Sequence, residues 1–186
     1  IEYLKTSAAK QDSVSFYSSY YLGILYLKQG NKPYALNSFG HSRNYTQDKR
    51  LVEESIFQHS KISYDLGNAE LAINEFEKFL LTYSGSDHTI EVKELLAQAY
   101  INGNNYNKAI EYIESLPQRS AAMDQAYQKA TYLKGAELFN KEEYAEAVKA
   151  FEKALASSAD PKYVALSSFW CGEAYSIGRK YAEAIP

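Results

Sequence analysis

The sequence predicts an all-α fold built from repeated antiparallel helix pairs. Three observations predict it: small and large landmark residues recur at one interval, each interval holds a turn signal, and breakers are scarce elsewhere. Ala35, Ala72, Ala109, Ala147 and Ala184 stand 37, 37, 38 and 37 residues apart. Twelve residues before each comes a small residue: Gly23, Ser60, Ala97, Gly135 and Gly172. Four residues after the first four comes a large apolar one: Phe39, Phe76, Ile113 and Phe151. With only 4 Pro and 9 Gly in 186 residues, a loop-rich β protein is a poor match to the composition.

The elements follow from these landmarks in chain order. Residues 1–8, IEYLKTSA, read as the end of a helix belonging to a preceding pair. Helix pairs then begin near 16, 53, 90 and 128, and a partial one near 165. The first helix of each pair ends at a turn signal: Gly30-Asn31, Gly67-Asn68, Gly103-Asn104-Asn105, Asn140-Lys141 and Gly178-Arg179. Gly and Asn there are expected to supply the left-handed conformation that stops one helix before the next begins. Within a pair, the small residue is expected to face the Ala of the second helix, with the Phe filling the space beside them. The polar run SGSD at 84–87 reads as the loop before the third pair, with Ser86 or Asp87 as a helix cap. Pro117 should cut the second helix of the third pair short. Residues 181–186 read as the opening of a fifth returning helix.

Composition narrows function mainly by exclusion. A net charge of −3 gives no basic field for nucleic acid or an anionic membrane. No apolar run reaches the length of a membrane span. Cys171 stands alone and reads as a small buried hydrophobe. His41, His59 and His88 lack the spacing of a metal motif and read as solvated or rim residues. Glu53-Glu54 and Glu142-Glu143 lie near helix starts, where acidic residues suit the helix dipole. Asn44-Tyr45-Thr46 fits a glycosylation sequon. No phosphate-binding loop, dinucleotide fingerprint or nucleophile elbow occurs. No catalytic residue, cofactor or metal is therefore expected. The abundance of Tyr, 18 against 8 Phe and a single Trp, points instead to half-buried rings with a polar tip.

The small residue, the Tyr column (Tyr26, Tyr100 and Tyr175, with Ser63 and Leu138 departing from it), the Ala and the Phe together resemble the tetratricopeptide repeat. The second small column, Ser42, Phe79, Leu116 and Ala154, is only partly kept, and the period exceeds the family's usual 34 residues. The resemblance implies a right-handed superhelical solenoid, a single array over 1–186. It would comprise a partial unit at 1–15, repeats at about 16–52, 53–89, 90–127 and 128–164, and a partial repeat at 165–186, read as a piece of a longer chain. It also implies a non-catalytic scaffold that holds an extended peptide or partner helix on its concave face. By family position the groove-facing residues are Tyr17, Tyr20, Phe57, Lys61, Tyr64, Tyr132, Phe139 and Phe169. The clamp for a terminal carboxylate found in chaperone-tail binders is not expected, because Tyr20 and Ile24 stand where it needs Lys and Asn. INEFEKFLLTYSGSDH at 73–88 and SSFWCGEAYSIGRKYAEAI at 167–185 are similar to segments of Tol–Pal accessory proteins and of the outer-membrane assembly lipoprotein. That similarity implies a periplasmic or cell-envelope location ahead of a cytoplasmic one. The partner is expected to be a protein or peptide. A glycan-binding surface, or a regulatory region of a larger enzyme or cytosolic adaptor, is the alternative.

Overall fold

A computed structural model describes residues 1–10, 12–45 and 47–184, with side chains as far as 178. Thr46 of the sequon, the side chains of Tyr181 and Ala184, and residues 185–186 lie outside the described residues. The described residues form helices and turns, with no strand among them. The chain divides into two compact units, Ile1–Ala99 and Tyr100–Pro186. The first holds α1 (Glu2–Ala8), α2 (Ser13–Lys28), α3 (Lys32–Ser42), α4 (Lys49–Asp65), α5 (Ala69–Thr82) and most of α6 (Thr89–Asn102). The second holds α7 (Tyr106–Glu114), α8 (Ala121–Asn140), α9 (Tyr144–Leu155) and α10 (Pro161–Ala184).

In the first unit α2 pairs with α3 and α4 with α5, while α1 packs on α2 and α3 on α4. In the second, α8 packs against α7, α9 and α10. Short polar side chains start the helices by accepting orphan backbone N–H groups. Asp12 accepts from the Ser15 amide at 2.9 Å and Asp48 from Leu51 at 3.0 Å. Ser120 accepts from Met123 at 3.2 Å. Ser86 does not cap α6; its hydroxyl accepts from the His88 amide in the turn just before. α7 stops at Glu114, ahead of Pro117.

One residue per turn takes the left-handed conformation, and its register repeats. Gly30 has φ +72°, Gly67 +82°, Asn104 +58° and Glu142 +63°. One of these differs from the sequence expectation. In the third turn Asn104, within the Gly103-Asn104-Asn105 signal, reverses the chain, whereas in the fourth it is Glu142, just beyond Asn140-Lys141. The conformation follows the register of the helix pair, and the residue at that register must adopt it.

The fifth turn does not form. α10 runs unbroken through Gly178 and Arg179 to Ala184, so the residues read as the opening of a returning helix continue α10 instead. Gly178 packs there against Tyr144, whose Cβ would lie 3.6 Å from a Cβ at Gly178.

The landmark residues make the core. Ala35, Ala72, Ala109 and Ala147, and with them Phe39, Phe76, Ile113 and Phe151, are fully buried. Gly23 and Gly135, however, lie against the Phe ring rather than only against the Ala. A Cβ at Gly135 would stand 2.6 Å from Phe151 Cδ1, and one at Gly23 2.7 Å from Phe39 Cζ. Those glycines are pinned by an aromatic ring lying on their Cα. Gly172, with no returning Phe, has nothing within 4 Å, so its expected constraint is absent. Cys171 is buried among Ala147, Val148, Phe151 and Ala174, as its solitary occurrence suggested. Gln128 is fully buried too. Its amide donates to the carbonyls of Ala154 (3.2 Å) and Ser157 (2.6 Å) and accepts from the Asp160 amide at 2.7 Å. It thereby fastens the loop between α9 and α10.

Candidate ligand-binding face

Stacked helix pairs need something to bind one pair to the next, and several of the expected groove residues serve that end. Phe57 of α4 is 3% exposed. Its ring lies parallel to that of His88 at 3.8 Å. In the second unit Tyr132 meets Tyr163 at 5.3 Å, and Phe139 meets Trp170 at 5.1 Å. All three ring pairs are separated by 31 residues in sequence. They are one contact, made between the first helix of one pair and the start of the next, where His88 stands in the turn just before α6 and Tyr163 and Trp170 lie on α10. Phe57, Tyr132 and Phe139 are therefore seam residues, and Phe57 presents no ring face to a ligand.

Polar contacts reinforce the seam in the first unit. Glu54 accepts from His88 Nε2 at 2.8 Å, and Lys61 pairs with Glu91 at 2.6 Å. The Lys61 ammonium also lies 5.6 Å from the Phe57 ring centre. Lys61 is thus committed to a partner on its own chain. Tyr64, further along α4, is half-buried and engaged by its neighbours. Phe169 of α10 is 59% exposed with its edge on Trp170. Position explains the difference. It lies in the same column as Phe57 and Tyr132, and no described helix covers it.

The remaining expected residues, Tyr17 and Tyr20, sit on α2 within a larger aromatic platform. Tyr17 is 38% exposed and Tyr21, one turn further on, 56%. The Tyr17 hydroxyl donates to Asp48 Oδ2 at 2.6 Å, and its ring meets the edge of Tyr45 at 5.8 Å. Tyr45 stacks on Phe16 at 5.0 Å, and Phe16 on His41 at 4.9 Å. On the other side Tyr21 meets Tyr20 edge-on at 5.5 Å, and Tyr20 meets the buried Phe39 at 5.7 Å. These rings are held in place by their neighbours, so a ligand that covers them costs little side-chain entropy.

The Asp48 carboxylate of the platform is already matched. The Tyr17 hydroxyl, with two backbone amides, holds the Asp48 carboxyl below the ordinary aspartate range, and Asp48 pushes the Tyr17 phenol up to about 12. Burial, and then Glu54, raise Tyr20. Arg50 stands close enough to Asp48 and Tyr20 to oppose that shift. Sequence reasoning missed Tyr21, Phe16, His41, Tyr45 and Asp48. The Tyr17–Tyr21 spacing of one helical turn was the available signal. The contribution of Tyr45 and Asp48 depends on the path of the loop after α3, which periodicity does not encode.

Elsewhere His59 differs from the solvated or rim reading, whereas His41 is exposed and His88 partly so. His59 is buried, its Nδ1 2.8 Å from Glu75 Oε2, while Arg43 donates to Glu75 Oε1 at 2.6 Å. Beside this network Arg43, Lys78, Phe79 and Tyr83 line a hollow of about 390 Å³. Among the described residues no group of His, Cys, Asp or Glu could hold a metal ion, and no helix is long and apolar enough to cross a membrane.

Helix pairs with a small-residue–Phe core and one left-handed residue per turn define a helical-repeat protein. Residues 90–116 and 128–161 match the family model of the tetratricopeptide repeat. The match covers 61 of the 186 residues, and the helix pairs of α2–α5 lie outside it. Two solved structures share the fold. One is MamA, with 19% identity, a TM-score of 0.53 and 90% of each chain covered. The other is a Rap protein complexed with Competence and Sporulation Factor, with 17% identity and a TM-score of 0.51. That match covers 99% of this chain and 55% of the Rap chain. At such identities the likeness is one of fold. No curated protein matches the sequence. The fold is that of a protein–protein interaction scaffold, a class generally without catalysis of its own.

Proposed function

We propose that this chain binds an extended segment of a partner protein on the first-helix side of its first unit, along the platform of α2. The observation that carries the proposal is the pair Tyr17 and Tyr21. They are exposed aromatic rings one turn apart, immobilised by Asp48, Tyr45 and Tyr20. Rigid tyrosines with low entropy to lose are the side chains that dominate peptide and protein recognition. A fold neighbour, Rap, is complexed with Competence and Sporulation Factor, and the proposal extends ligand recognition by this fold to the present chain. Phe57, Tyr132 and Phe139 are left out of the binding set because they hold neighbouring helix pairs together.

A peptide-array capture tests the proposal. Wild type should retain a subset of extended peptides, Tyr17→Ala/Tyr21→Ala should lose them, and Tyr34→Ala, an exposed tyrosine on α3, should keep them. Equal capture by all three proteins, with folding confirmed by cooperative melting, would move the site away from α2.

A further inference from the structure

The chemistry of the α2 platform says what kind of segment it takes, and this inference rests on the peptide-binding reading above. Two of its acceptors are occupied. Asp48 receives the Tyr17 hydroxyl, while Glu54 receives His88 on one oxygen and the Gln58 amide on the other. Arg50 is exposed and forms no ion pair among the described residues, and it lines a hollow with Glu53 and Glu54. The rest of the surface is ring, from Tyr17 and Tyr21 with Tyr45 alongside. A complementary ligand therefore offers apolar ring or methylene faces and carbonyl acceptors, and needs few acceptors in return.

A proline-rich segment has that character. Proline carries no backbone N–H, so it leaves no donor to satisfy. The polyproline II helix keeps its carbonyls pointing outward and is already extended, so little entropy is lost on docking. The spacing agrees as well. Two residues of polyproline II advance about 6 Å, and side chains four apart on an α-helix are about 5–6 Å apart. Alternate residues of such a segment can meet Tyr17 and Tyr21 in turn, with a carbonyl turned to Arg50. We infer that the α2 platform, Tyr17, Tyr21 and Arg50, recognises a proline-rich extended segment of its partner.

The test is titration calorimetry of the whole chain with decaproline, a glycine–serine decapeptide and cellohexaose. Decaproline should bind and the glycine–serine peptide should not. Tyr21→Ala should weaken decaproline binding roughly tenfold or more. Tyr17→Phe, which keeps the ring, should retain most of it. Arg50→Ala should weaken it without changing the melting temperature. Failure of decaproline to bind, or binding that Tyr21→Ala leaves unchanged, overturns the inference. If decaproline fails while array peptides without proline are captured in a Tyr17- and Tyr21-dependent way, the general peptide-binding reading survives and the proline specificity falls. If cellohexaose binds in place of decaproline, the platform is a sugar site and both readings fall.

Discussion

At the residue scale, the same landmark has different consequences according to what lies against it. Gly135 and Gly172 occupy one column, yet the first has the Phe151 ring on its Cα and the second has open space. Gly135→Ala should therefore destabilise the protein, since a Cβ at 2.6 Å forces the ring or the helix to move. Gly172→Ala should stabilise it by about 0.5–1 kcal/mol, the ordinary helix-interior gain. Urea unfolding of both variants checks this, and equal shifts would contradict the ring contact. Glu142 carries a second residue-scale cost. A left-handed conformation costs a non-glycine residue about 1 kcal/mol or more, and the equivalent turns use Gly30, Gly67 and Asn104. Glu142→Gly should raise stability by about 1 kcal/mol by the same measurement; no gain would mean that the side chain repays the strain.

At the element scale, the protein depends on seams between helix pairs. The α4–α6 seam uses Phe57 on His88 with the Lys61–Glu91 ion pair and the His88–Glu54 hydrogen bond, whereas the α8–α10 seam uses ring pairs. The contact between α3, α4 and α5 runs through Arg43, His59 and Glu75. Burial raises the Glu75 carboxyl, but the hydrogen bonds and charges of His59 and Arg43 outweigh it and hold the group below the ordinary glutamate range. A carboxyl depressed in the folded state adds stability that is complete above the unfolded-state value and is lost as pH falls through the folded one. The melting temperature should thus drop on acidification below about pH 4.3, the ordinary glutamate value. Glu75→Gln should start lower at neutral pH and lose less over that interval. Parallel pH profiles for the two proteins would show that Glu75 contributes nothing to the seam. None of this network was legible in the sequence, because Arg43, His59 and Glu75 lie on three helices and match no repeat column.

At the scale of the whole molecule, the repeat was legible because its signal is summed over several copies. Ala35, Ala72, Ala109 and Ala147 each confirm the register that the others set. Exposure is not summed in that way. The column Tyr20, Phe57, Glu94, Tyr132 and Phe169 is aromatic at four of its five places, yet a ring there is buried or open depending on whether another element arrives to cover it. Position in the repeat was therefore sound guidance to the fold but did not tell which rings of the column are exposed. Half of the binding surface proposed on α2 comes from Tyr21, Tyr45 and Asp48, and the latter two are brought in by an irregular loop. The central claim is that this platform, and not the seam aromatics, binds the partner. The most direct measurement is titration calorimetry of the strongest array peptide against wild type, Tyr17→Ala/Tyr21→Ala and Tyr34→Ala. Loss of affinity of roughly tenfold or more in the double variant, with Tyr34→Ala unchanged, is the predicted result. Unchanged affinity in a double variant that still melts cooperatively would contradict it.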